Sequence, residues 1–183
     1  MLAFDQFIQP KVHFMPNRLL RVLLISFLSA SAPVALYAQG GDYTDTAFST
    51  VTTDRISRTL TGGALSCSRI DQDYQLDCYR QTFRRAAQQL NANAAYSDMR
   101  RILVGVEKAA ERSVAQYADT AKPRLRRGIQ KFRATRTASN TQARTEFSSA
   151  LESALAALQL ARGSAKPHYA AIAKALESNQ TRL

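Results

Sequence analysis

From Leu76 to Leu176 the apolar residues of this chain recur at three- and four-residue steps, a period that α-helices bury along one face. Leu76, Tyr79, Phe83, Ala86, Ala87 and Leu90 make the first stripe, beginning after Asp71 and ending at Asn91-Ala92-Asn93. Ser97 or Asp98 suits the N-cap of the next helix. Its stripe, Met99, Ile102, Leu103, Val106, Ala110, Val114 and Tyr117, is the longest in the chain. Gly105 lies inside it at a cost of about 1 kcal/mol relative to Ala and is expected to permit a close helix approach. Asp119-Thr120 and Pro123 mark a break, after which Leu125, Ile129 and Phe132 predict a third helix. Ser139-Asn140-Thr141 reads as a turn with an N-cap. The fourth helix carries Phe147, Ala150, Leu151, Ala154, Leu155 and Leu158 and stops at Gly163; the last starts near Lys166-Pro167 and buries Tyr169, Ile172 and Leu176. The pattern predicts an all-α fold, a small bundle of four to five helices over residues 67–183, with no internal repeat.

Ahead of the helices the chain changes character twice. Arg18 and Arg21 precede the apolar run Val22–Leu28, continued by Val34–Ala38, the arrangement of a secretory signal peptide with cleavage between Ala38 and Gln39. Met15 begins a compact basic n-region, whereas Asp5 and the polar residues before it fit export poorly; the expected true start is Met15. An uncleaved anchor is the rival reading. The run from Val22 to Ala38 is 17 residues and is broken by Ser26, Ser29, Ser31 and Pro33. A spanning helix wants about 20 apolar residues. Residues 39–66 are rich in Gly, Thr, Ser and Asp and predict a loosely ordered N-terminal arm, punctuated by Gly40-Gly41 and Gly62-Gly63. Thr50–Thr53 as a short strand, or a helical turn over Arg55–Leu60, are the alternatives within it. The expected location is periplasmic or extracellular.

Cys67 and Cys78 are the only cysteines. In an exported chain two cysteines favour one disulfide, with free structural thiols as the other reading. Ten intervening residues match no zinc spacing, and a single histidine beyond the leader, His168, leaves any Cys/His set incomplete. A bridge over so short a loop stabilises by about 2–3 kcal/mol in the chain-entropy model.

The chain carries 25 Lys and Arg against 14 Asp and Glu, a formal net charge of +11. Removing residues 1–38 takes Lys11, Arg18, Arg21 and Asp5 with it, leaving 22 basic and 13 acidic residues and a net charge of +9. Charge is densest between Asp119 and Glu146, where no acid occurs and Lys122, Arg124, Arg126, Arg127, Lys131, Arg133, Arg136 and Arg144 follow one another. Read as a helix, this stretch is basic and amphipathic, a type that meets anionic membrane surfaces and acidic partners. A helix docked by three apolar residues with a solvated cationic face would show the same pattern. Two points favour binding: no acid stands at i,i+4 to any of these cations, and their mutual repulsion is a cost that an anion relieves. Arg80, Arg84 and Arg85, and then Arg100-Arg101, are further basic groups; whether they converge on the same face decides whether the patch is a groove.

Recognisable catalytic chemistry is lacking. Asp71, Asp73, Gln75 and Asp77 echo the start of a calcium loop, but Leu76 stands where the turn needs Gly and Thr82 where a bidentate Glu belongs. Solvation and favourable charge at the helix N-terminus are the expected role. His168 has only Ser164 nearby and reads as a first-turn residue, since a general base needs a nucleophile and an orienting group. There is no Gly-rich phosphate loop and no paired-carboxylate motif, so the expectation is no enzyme and no cofactor or metal. Asn179-Gln180-Thr181 matches a glycosylation acceptor. Nucleic acid is disfavoured because the aromatics sit on helix stripes and do not alternate with the cations as a stacking platform requires. The sequence points to an exported binding protein using Lys122–Arg136 against an anionic membrane surface or a cell-envelope polyanion. The alternative is a protein-interaction module, chaperone-like or an assembly subunit, whose cations serve solubility.

Overall fold

A computed structural model describes residues 47–183; the expected signal peptide, residues 1–38, and residues 39–46 of the expected arm lie outside the described residues. Five α-helices carry the fold: α1 (Thr50–Cys67), α2 (Gln72–Gln88), α3 (Ser97–Gln116), α4 (Asn140–Gln159) and α5 (Lys166–Gln180). Between α3 and α4 stand two short strands, β1 (Leu125–Arg127) and β2 (Gln130–Phe132). Each helix packs on its neighbours in the chain, and α5 closes back on α1, so the helices form a ring around one core. Tyr79, Phe83 and Phe147 meet at its centre, with ring centroids 5.6 and 6.0 Å from Phe147, among Leu60, Leu103, Leu151 and Ile172.

The α2, α3, α4 and α5 stripes are those read from the sequence, and Leu76, Met99, Phe147 and Ile172 are buried as expected. The helix count agrees, but its membership does not. Most of the expected arm is α1. Thr53, Ile56, Leu60, Ala64 and Cys67 are all buried at helical spacing, and Ser49 caps the start by accepting from the Thr52 backbone N–H. The polar composition that argued for disorder belongs to the outer face of this helix. Gly63 sits where α1 crosses α2: a Cβ there would lie 2.2 Å from Thr82 Cγ2. Gly105 does not have that role, since a Cβ at that position would meet nothing within 4 Å.

Cys67, the last residue of α1, is bonded to Cys78, two turns into α2, with Cα atoms 5.5 Å apart. The bridge holds the α1–α2 corner beneath the strands. Asn179 is fully buried, its amide donating to the Leu60 and Ala175 carbonyls, so the glycosylation match is a structural residue. Among the described residues no helix is long and apolar enough to cross a membrane.

The second correction is the third helix. Residues 117–139 form an antiparallel excursion closed at its base by the Ala118–Thr135 bridge. The Asp119 N–H donates to the Ala134 carbonyl at 2.9 Å, and the Arg136 N–H to the Tyr117 carbonyl at 2.8 Å. Leu125 pairs with Phe132, Arg126 with Lys131 and Arg127 with Gln130, leaving Gly128-Ile129 as a two-residue loop. Gly128 has φ +58°, the left-handed region that tight hairpin loops demand of their first residue. The apolar period of Leu125, Ile129 and Phe132 is therefore accidental: Phe132 is buried, Leu125 half-buried and Ile129 wholly exposed.

Candidate anion-binding hairpin

The excursion is held by two carboxylates of α2 four residues apart, Asp73 and Asp77, both buried. Asp73 holds its base. Its carboxylate accepts from Asn140 Nδ2 at 2.6 Å, from Thr137 Oγ1 at 3.0 Å and from the Lys122 ammonium, and its carbonyl accepts from the Thr135 N–H at 2.8 Å. Burial alone would raise the Asp73 pKa, but the hydrogen bonds from Lys122, Asn140 and Thr137 hold it below its ordinary value. Asp77 holds β2: Oδ2 accepts from the Arg133 N–H at 2.9 Å, and Oδ1 from Arg80 Nε at 2.6 Å and Arg133 Nη2 at 3.3 Å. Here too burial pushes the pKa up, and the Arg80 bond, the Arg133 N–H and both guanidinium charges bring it down below the usual carboxylate value. Gln81 joins the two elements, donating to Asp77 Oδ2 and to the Lys131 carbonyl. The acids that echoed a calcium loop are thus hairpin anchors. Among the described residues no group of three or more His, Cys, Asp or Glu is placed to hold a metal ion.

The seven basic residues of the segment divide by what they touch. Lys122 is paired with Asp73. Arg133 bonds Asp77 and, at 2.8 Å, Glu111. Arg136 donates to the Gln116 and Ala118 carbonyls at the end of α3. These three charges are spent on the fold. Arg124, Arg126, Arg127 and Lys131 are exposed and have no acidic partner among the described residues. The pleat sorts them. Arg126 and Lys131 share one face and stand directly opposite in register, which brings like charges to about 5 Å at Cβ. Arg127 shares the other face with Gln130, Leu125 and Phe132.

Each face looks over a depression. Under the cationic face, Arg124 and Lys131 line a polar basin of about 250 Å³ with Arg80, Arg84, Arg133, Asp77 and Glu111. Arg84 lies 2.8 Å from Glu107, and Arg80 2.9 Å from Glu111, so the floor of the basin largely neutralises itself. The basic group of α2 therefore converges on the hairpin through Arg80 and Arg84 only. Arg101 pairs with Asp98, and Arg100 donates to Asn91. Under the other face Ile70, Cys78 and Phe132 floor a cleft of about 350 Å³ rimmed by Arg69 and Arg127.

His168 lies half-buried in the first turn of α5, its ring stacked on Phe48 at 5.1 Å. Its Nδ1 is 2.7 Å from Thr53 Oγ1, which also lies 2.8 Å from the Tyr96 hydroxyl and donates to the Ser49 carbonyl. These groups bond one another and the Ser49 backbone beneath Phe48, tying the N-terminus of α1 to α5. Ser164, the hydroxyl weighed from the sequence, is absent from this set of contacts.

The chain matches no protein-family model, no curated protein and no solved structure.

Proposed function

We propose that this chain is an exported, non-enzymatic binding protein whose basic hairpin contacts an anionic component of the cell envelope. The observation that carries this reading is the register of the hairpin: Arg126 faces Lys131 across the ribbon, with Arg124 and Arg127 adjoining and no acid among the described residues to neutralise them. Like charges opposed across a strand pair destabilise it, and a bound anion removes that cost. The leader-like residues 18–38 and the Cys67–Cys78 bridge support an oxidising compartment outside the cytoplasm.

The test is binding of the purified, disulfide-bonded protein to long-chain polyphosphate across a salt series. Its control variant has Arg124, Arg126, Arg127 and Lys131 replaced by Gln. The wild type should bind at low salt and release as salt rises. Removing four cations should flatten the log–log salt slope by about three. Equal binding by the variant, or a wild type that binds neither polyphosphate nor anionic vesicles, sinks the reading. A protein-interaction module is the second reading, favoured by an open groove of about 400 Å³ between α3 and α4, lined by Ile102, Gly105, Val106, Ala109, Ala150, Ala154 and Ala157. A partner held there would survive high salt.

A further inference from the structure

Resting on that reading, we infer that the anionic component is a lipid bilayer and that Ile129 inserts into it. Ile129 is fully exposed at the hairpin tip, whereas Phe132 is buried and Leu125 is packed against the core. The strands rise about 3.3 Å per residue, so the tip stands about 7 Å along the ribbon beyond Lys131, the outermost residue bonded to α2. Turn chemistry does not account for the isoleucine. Gly128 supplies the positive φ, and the second position of such a loop suits a small polar residue. A soluble polyanion does not account for it either, because it would need only the cations.

An anionic membrane uses both. Arg126, Arg127 and Lys131 ring the tip at the depth of the headgroups, each strengthening attachment to an anionic surface by about fivefold. One apolar side chain ahead of them reaches the acyl boundary, about 5–10 Å being the usual depth of interfacial burial. The hairpin stays folded on α2 through Asp77 and Gln81 while its tip is immersed, so insertion requires no part of the core to open.

The chain has no tryptophan, so Ile129→Trp places a fluorescent reporter at the tip without background. Vesicles of phosphatidylcholine with one quarter phosphatidylglycerol, vesicles of phosphatidylcholine alone, and polyphosphate serve as the three probes. Insertion predicts a blue shift of the reporter's indole emission with the anionic vesicles only. It also predicts that Ile129→Ser weakens anionic-vesicle binding about tenfold while polyphosphate binding is unchanged. Thermal melts check that both variants keep the fold. A reporter variant that binds vesicles with its indole emission unshifted, or a wild type that binds polyphosphate but not vesicles, overturns insertion and leaves the anion-binding reading standing. A wild type that binds none of the probes removes both.

Discussion

A methyl group added at position 63 would meet Thr82 Cγ2 at 2.2 Å and Oγ1 at 2.7 Å, while one added at position 62 would meet nothing. Two adjacent glycines in one helix therefore have opposite roles. Thr82 is buried and its hydroxyl lies 3.7 Å from Cys67 Sγ, so it has little room to yield. Gly63→Ala should cost about 1–3 kcal/mol through forced separation of α1 and α2, even after the gain in helix propensity. Gly62→Ala should gain about 0.5–1 kcal/mol. Urea denaturation of the pair measures both, and equal effects would refute the close crossing. Nothing in the sequence separates these neighbours, because the difference lies in which one faces Thr82 across the helix pair.

The elements that were legible from pattern are those with four or more large apolar residues in register, α2 and α3 above all. α1 was hidden because its stripe is built from Thr53, Ile56, Leu60, Ala64 and Cys67, with threonine and glycine filling the other faces. Composition pointed to an arm, while the spacing was helical throughout. The hairpin was hidden by the reverse accident: three apolar residues at helical spacing, only one of them buried. Its signal was Gly128 between two short segments that pair across the loop, and its anchors were acids of another element, which periodicity along one segment does not reveal. Those anchors make a pH prediction. The Asp77 pKa is lower in the folded chain than in the unfolded one. Its contribution is thus complete above about pH 4, near the unfolded Asp value, and disappears as pH falls through the folded value below it. Asp77→Asn should cost about 2–3 kcal/mol at pH 7, since Arg80 keeps Glu111 while Arg133 loses part of its support. The difference from wild type should shrink as pH falls below about 4 and through the lowered folded value, where Asp77 itself becomes protonated; a difference that stays constant on acidification would place the anchor elsewhere.

At the scale of the molecule, the all-helical class and the core stripes of α2 to α5 were readable from pattern, as was the excess of positive charge; the closure of the ring by α1 was not. Which charges are free was not readable, because Lys122, Arg133 and Arg136 find their partners only once α2 and α3 lie beside the excursion. The free ones oppose the fold that carries them. Arg126→Thr should raise stability by about 0.5 kcal/mol at low salt, less at high salt, while weakening polyphosphate binding. A loss of stability in urea melts would show that the register pair is not repulsive. The ribbon has a further asymmetry. The outer side of β2 is occupied by α2, whose Gln81 and Asp77 take the Lys131 carbonyl and the Arg133 N–H. The outer side of β1 has no sheet partner among the described residues. Such an open edge is a template for strand addition by a second chain, and charged side chains along it are a common safeguard. The cations proposed to attract a surface thus also keep copies of the molecule apart, and stripping them for a binding assay exposes a short edge to self-association.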